Sequence, residues 1–393
     1  MGKTVVITGI GVVSPFESGR GIDIFWDKAL KGECRIQKIS FFNVDKYVSK
    51  VGAEVRGFDN QKGPNNKWIQ IATVAFENAL KDASLKLNNG VGLSVGTILG
   101  GILIGEKHWR NSTGSQRFRL PKEYQLSSGT DYFVEKYGIK GPSVTVSTAC
   151  ASGTDAIGIA YRKIMSGKAN AMIAGGVDVI NEFAFSGFNI LQAITREKVR
   201  PFDKKRDGLA PGEGAGFVVL EKKDSAIKRK VKIYGEILGY ASRGDAHHLT
   251  GPDQKGRGLS NAISASLRES GLAPSQVDYI NAHGTGTVYN DLMETKAIKH
   301  AFGKHAYHTP ISSIKGMIGH SFGAAGAIEV VTCLLAIRDG MVPPTINYRE
   351  QDPDCDLDYV PNEARKHKVK TAISLSAGFG GQNAAIVLGD VDY

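Results

Sequence analysis

Cysteine is scarce in this sequence: four among 393 residues, standing far apart at Cys34, Cys150, Cys333 and Cys355. With no CxxC pair and no metal-finger spacing, a disulfide framework and a structural zinc site are excluded, and a reducing, cytoplasmic setting is expected. Long apolar runs are missing too, none approaching the ~18 residues of a membrane span. The start MGKTVVITGIGVV has a lysine followed by apolar residues, as a signal peptide does. Its β-rich run broken by Gly9 and Gly11 reads better as a first strand and turn. Valine at position 6 removes the myristoylation pattern. Aromatics are not interleaved with the basic clusters TREKVRPFDKKRD and KKDSAIKRKVK, so nucleic acid is not the expected partner of the +10 net charge. An acidic protein is. Neither cluster of histidines nor carboxylates has metal-ligand spacing, and the adjacent His247 and His248 point apart, so no metal is expected.

Glycine, by contrast, is abundant at 48, as suits a chain with many tight turns and close backbone approaches. Strand-like runs bounded by glycine (KTVVITGIG, GLSVGTILGG, SVTVSTA, AMIAGGVDVI, AGFVVLEK) alternate with helix-like ones such as NKWIQIATVAFENALKDA. A second set follows from KIYGEILGYAS to NAAIVLGD. That alternation predicts an α/β fold with buried sheets. The sets repeat one plan. VSTACASGTDAIGIAYRKI runs strand, small-residue junction, helix with Cys150 at the junction, and SSIKGMIGHSFGAAGAIEVVTCLLAI does the same with His320. Two halves, 1–232 and 233–393, are therefore expected to bring their junctions together across a pseudo-dyad.

A cysteine at a helix N-terminus feels unpaired N–H groups and the positive dipole end, which favour thiolate over the free value of ~8.5. A small buried hydrophobe is the bland alternative for Cys150. Two further stretches favour chemistry. VDYINAHGTGTVYND ends a strand at His283, with Thr285 and Thr287 in the turn, and SSIKGMIGHSFGAAGA carries Lys315 five residues before His320. Histidines just after strands, among glycines, lie where α/β folds place reactive groups. SLSAGFGGQN ends another strand in a turn whose N–H groups can hold an oxyanion.

From VVITGIGVVSP to GFGGQNAAIVLG, through RPFDKKRDGLAPGEGAGFVVLE and CDLDYVPNEAR, the chain resembles the β-ketoacyl synthases. The resemblance covers nearly the whole sequence. It implies the thiolase-like fold, two duplicated βα halves in five α-β-α-β-α layers, and a dimer. It places the family's Cys-His-His set on Cys150, His283 and His320, its SxKxxxGH lysine on Lys315 and the acidic partner on Glu329. Glu329 is otherwise an odd charge in an apolar helix. Pantetheine-binding threonines fall on Thr285 and Thr287, and the gating phenylalanine on Phe379. The implied reaction is a decarboxylative condensation of malonyl-carrier protein with a Cys-bound acyl chain, with an oxyanion between the N–H groups of Cys150 and Phe379. No cofactor is bound; phosphopantetheine arrives on an acyl carrier protein, expected to dock near Arg196, Lys198, Lys204, Lys205 and Arg206.

Within the fold, a thiolase needs a second cysteine in the last turn, absent from SAGFGGQN, and chalcone-synthase-like enzymes carry Asn where His320 stands. A chain-length factor lacks the nucleophile. Fatty-acid enzymes usually read NSFGFGGTN; Ala377 and Gln382 depart from that. LSAGFGGQNAAIVL and HGTGTVYNDLMET look closer to the ketosynthase alpha subunit of type II polyketide synthases, which implies a heterodimer with a chain-length-factor homologue. The alternative is a homodimeric synthase II of fatty-acid synthesis. A nucleotide-binding oxidoreductase is a weak rival, since TGIGVVS is GxGxxS with no acidic residue closing a second strand. A non-catalytic scaffold is the stronger one, and it requires an unreactive Cys150.

Overall fold

The computed structural model describes residues 4–16, 21–58, 66–87 and 90–391. Ten strands make up its main sheet: β1 Val5–Val13, β2 Val91–Gly96, β3 Ser143–Val146, β4 Ala171–Asp178, β5 Gly214–Lys222, β6 Gly235–Gly244, β7 Tyr279–Asn281, β8 Ile311–Ser312, β9 Thr371–Gly378 and β10 Gln382–Gly389. The order is β8-β7-β9-β10-β6-β1-β5-β4-β2-β3. Adding five to each strand of β1-β5-β4-β2-β3 gives β6-β10-β9-β7-β8. The senses repeat as well. The first two pairings of each set are antiparallel and the last two parallel. Among the described residues, the strand pairs Val6↔Glu236 and Ile7↔Gly235 join the sets edge to edge.

Helix composition decides which layer each helix occupies. α1 Lys67–Asp82, capped by the Asn66 side chain accepting the Ile69 N–H at 3.1 Å, has one apolar face and lies outside β1, β4 and β5. α2 Ile102–Asn111, α3 Ser128–Tyr137, α4 Ser152–Met165 and α5 Glu182–Ile190 follow in the first set. α6 Arg257–Ser270, amphipathic, covers β6 and β10, and α7 Val288–Phe302 packs on α6. α8 Ala325–Asp339 is buried on every side from Ala325 to Ile337, the signature of a helix wholly inside a protein. α4 and α8 pack on each other and each touches strands of both sets. The result is five layers: α1, the β1–β5 half of the sheet, α4 with α8, the β6–β10 half, and α6 with α7. This is the thiolase-like architecture. Among the described residues no helix is long and apolar enough to cross a membrane.

Glycine makes the central layer close. A Cβ on Gly153 would lie 2.7 Å from the Gly323 oxygen, and one on Gly326 only 2.0 Å from Thr154 Oγ1. The N-termini of α4 and α8 therefore meet backbone to backbone.

Candidate active site

Cys150 stands between β3 and α4, immediately after Ala149, whose φ of 50° is uncommon for a residue with a side chain. That turn lifts the thiol out of the strand line toward a cavity of about 400 Å³ lined by Cys150, His283, His320, Thr285, Thr287 and Phe379, among others. His283 follows β7. Its N–H and that of Gly284 are held by the Glu294 carboxylate at 2.6 and 2.7 Å. His320 is fixed through its backbone, donating to the Ala210 carbonyl at 2.7 Å and accepting from Gly212 at 2.8 Å. The two imidazoles meet edge-on with centroids 5.2 Å apart, and the reactive atoms of Cys150, His283 and His320 lie within 4.8 Å of one another.

The ring protons can be assigned from the surroundings. His320 Nδ1 accepts the Phe322 N–H at 3.2 Å, so the neutral ring carries its proton on Nε2. His283 Nδ1 faces the Lys315 ammonium at 3.4 Å, which sets the same tautomer. Burial, then the Lys315 charge, hold both histidines well below the usual imidazole range, so both are neutral donors. Lys315 itself pairs with Glu329, both side chains buried. A resident cation fits poorly among Cys150, His283 and His320: with both Nδ1 atoms accepting hydrogen bonds, both Nε2 atoms carry the ring proton, and Lys315 already supplies positive charge beside them.

The thiol departs from expectation. Burial pushes Cys150 up to about 11, against the Lys315 charge and the Phe379 backbone N–H, which both pull it down. Desolvation penalises the anion more than the helix terminus rewards it, so the resting group is a thiol. Phe379 is 37% exposed and rests on Phe188 at 5.8 Å, at the open side of the cavity. Gly378 comes so near that a Cβ there would sit 2.9 Å from the Cys150 nitrogen. The backbones of residues 150 and 378–379 thus approach from opposite halves, as two N–H donors to one oxygen must. Ala377 adds a small wall residue.

Thr285 and Thr287 share a hydrogen bond of 2.9 Å between their hydroxyls at the cavity wall. The basic cluster divides. Arg196, Lys198, Lys204 and Lys205 are exposed, the last two gripping Glu350 at 2.9 Å each. Arg206 is not on that face: it is buried, paired with Asp352 at 2.5 Å and bonded to the Asp203 and Val288 carbonyls. A guanidinium following a turn folded inward, where sequence spacing alone suggested a surface run. Two positioning acids escaped the sequence reading. Asp178, buried at the end of β4, accepts from Thr97 Oγ1, Ile98, Leu99 and Gly323, and burial raises it to about 6. Glu294, beneath His283, is raised by burial to about 8. Asp178 carried the same signal as Glu329, a lone acid in an apolar run; Glu294, in a polar helix, carried none.

The chain matches Beta-ketoacyl synthase, N-terminal domain, over residues 2–226 and Beta-ketoacyl synthase, C-terminal domain, over residues 234–349. It is 40% identical over 412 residues, 99% of both chains, to 3-oxoacyl-[acyl-carrier-protein] synthase 2 of Coxiella burnetii. Over 415 residues, 98% of this chain and 97% of the other, it is 39% identical to the tetracenomycin polyketide synthase ketoacyl synthase alpha subunit of Streptomyces glaucescens. Among solved structures, a type II polyketide ketosynthase in complex with its acyl-carrier protein and bound to the hexaketide (AntDE:AntF) superposes with a TM-score of 0.92 at 33% identity, covering 100% of both chains. The ishigamide ketosynthase/chain length factor gives 0.91 at 32%, covering 99% of this chain and 100% of that one. A buried thiol facing two neutral imidazole donors, on a duplicated five-layer frame, with full-length likeness to these proteins, leads to one conclusion: the chain belongs to the β-ketoacyl synthase family.

Proposed function

We propose that the chain performs the decarboxylative Claisen condensation of malonyl-carrier protein with an acyl group held on Cys150, as the ketosynthase alpha subunit of a type II polyketide synthase. The observation that carries the reaction is the convergence of one thiol and two neutral imidazoles, with one ring nitrogen of each within 4.8 Å of the sulfur and of the other. In the first step Cys150 Sγ attacks the acyl thioester carbon, and the oxygen's charge falls between the Cys150 and Phe379 N–H groups. The bond to the pantetheine sulfur breaks, and the proton lost by Cys150 leaves on that sulfur, so no separate base is consumed. In the second step the malonyl carbon–carbon bond breaks, carbon dioxide departs, and the electron pair spreads onto the thioester oxygen. His283 and His320 hold that enolate. The carbanion then attacks the acyl-Cys150 carbonyl, the carbon–sulfur bond breaks, and the released Cys150 thiolate takes one proton from solvent water, the proton that the overall reaction consumes. Each donor aimed at a developing oxyanion contributes about 3 kcal/mol.

The pantetheine arm lies along Thr285 and Thr287, with Phe379 as the gate. The carrier docks beside Arg196, Lys198, Lys204 and Lys205, a smaller patch than the sequence suggested. Ala377 supports the polyketide reading, since it leaves room beside the thiol. β3, a four-residue strand at the sheet edge, and the exposed Trp109, Phe118, Leu120 and Phe183 support a homologous partner chain. The four free thiols suit a reducing, cytoplasmic setting. Intact-mass analysis with acyl-carriers tests the reaction: the acyl mass appears on the wild type and not on Cys150→Ala, and equal labelling of both would overturn it. Co-expression with a homologue lacking the nucleophile tests the pathway. Repeated elongation by a homodimer, with no gain from such a partner, returns the fatty-acid reading.

A further inference from the structure

Asp155 lies in the first turn of α4, five residues after the nucleophile, and is 2% exposed. Among the described residues no cation is one of its hydrogen-bond partners. Three hydroxyls serve it instead: Thr148 Oγ1 at 2.6 Å and Ser242 Oγ at 3.4 Å on one oxygen, and the Tyr240 hydroxyl at 2.8 Å on the other. A buried carboxylate without a counter-ion costs stability. This one bridges the two halves, because Thr148 belongs to the Cys150 turn while Tyr240 and Ser242 belong to β6.

Tyr240 is itself fixed at every point. Its ring crosses α4 where Gly158 has no side chain; a Cβ there would lie 2.3 Å from the ring. Its carbonyl takes the Arg162 guanidinium at 2.9 Å, and its N–H goes to Glu269 at 3.2 Å, the acid that also grips Arg162. Strand β6 then continues in register with β10, Gly244 opposite Gln382, and Asp245 closes the Phe379 turn by donating to the Gly381 carbonyl at 2.9 Å. Two routes thus run between the oxyanion donors. The direct one is the contact of Gly378 on Cys150, backed by Thr154 Oγ1 on Ser376 Oγ at 2.9 Å. The second runs from the Phe379 turn through β6, Tyr240, Asp155 and Thr148 to the Cys150 turn.

We propose that Asp155 and Tyr240 are positioning residues for the oxyanion site, clamping the Thr148–Cys150 turn of one half against the Gly378–Phe379 turn of the other so that their N–H groups converge on one oxygen. The inference rests on the acyl-transfer reading above. It separates two properties of one sulfur: acyl transfer needs the oxyanion donors, whereas alkylation needs only an accessible thiol.

The test compares full-length wild type with Tyr240→Phe, Asp155→Asn and Thr148→Val, measuring single-turnover acyl transfer from an acyl-carrier, iodoacetamide alkylation of Cys150, and thermal midpoint. We expect acyl transfer in the variants to fall about 10–100-fold at saturating carrier, a misplaced donor being less costly than a deleted one. Apparent carrier KM and alkylation rate should stay within about twofold, since neither uses the donors. Tyr240→Phe removes a single oxygen and keeps the ring over Gly158, so it remains informative if Asp155→Asn does not fold. Wild-type rates of acyl transfer in a folded Tyr240→Phe would overturn the inference, and so would a parallel fall in alkylation and thermal midpoint, which would reduce the network to packing. A wild type that takes no acyl group would instead overturn the acyl-transfer reading itself.

Discussion

The two strand-to-helix junctions are built alike and used differently. Aligning Gly153 with Gly326 sets Ala149 (φ 50°) opposite Phe322 (φ 52°), and Cys150 opposite Gly323. Both halves therefore make the same left-handed elbow ahead of a buried central helix. In the first, the elbow presents a thiol to the cavity. In the second, its N–H groups are spent inside the protein, Phe322 on His320 Nδ1 and Gly323 on Asp178. One copy supplies the nucleophile and the other turns an imidazole into a one-sided donor. Duplication gives the frame, and a few side chains at matched positions divide the labour.

The comparison breaks most sharply at the nucleophile. Cys150→Ala should show no covalent acyl mass, while the matched change Gly323→Ala, whose Cβ would lie 2.6 Å from the Asp178 carboxylate and 2.9 Å from the Thr97 backbone, should cost stability yet leave the Cys150 thiol open to alkylation in the folded fraction. Loss of alkylation in the second variant would mean the elbows are not independent. Next come the histidines. His283→Ala and His320→Ala should still accept acyl groups but release carbon dioxide from malonyl-carrier about 10²–10³-fold more slowly, the cost of one oxyanion-type donor. Normal decarboxylation in either would show that its ring has another task.

The meeting of the halves can be stressed through Gly153→Ala, whose Cβ would lie 2.7 Å from a backbone oxygen that cannot swing aside. A loss of about 1–3 kcal/mol in denaturant unfolding is expected for such overpacking; an unchanged midpoint would show that the central layer is looser than it looks. The thiol's protonation gives a pH test. With Cys150 raised to about 11, alkylation should climb about tenfold per pH unit through the neutral range. A plateau already present at neutral pH would show that the helix terminus and Lys315 outweigh burial. Decarboxylation, using neutral imidazoles, should be flat over that range. The smallest effect belongs to the surface: Lys204→Glu with Lys205→Glu should raise apparent carrier KM a few-fold and weaken its salt dependence, because exposed charges steer more than they bind. A salt-independent KM in the wild type would assign these lysines to solubility.

Much of this was written in the chain. The alternation of strands and helices gave the α/β class, and the repeated junction foretold two halves meeting at their helix N-termini. Glu329, a charge in an otherwise apolar helix, foretold a buried partner. Those features are local: periodicity, glycine and an incongruous residue type are visible wherever they occur. What only the tertiary structure decided depends on distance between segments remote in sequence. The thiol's protonation is set by desolvation from all sides, which no neighbour in the chain reports, and it came out opposite to the helix-terminus argument. Arg206 sits in a basic run yet turns inward to Asp352, 146 residues away. Asp155 reads as an ordinary first-turn acid until β6 brings Tyr240 across Gly158 to meet it. Sequence fixes which groups can react; packing sets their charge, their orientation and their partners, because those follow from what else occupies the same few ångströms.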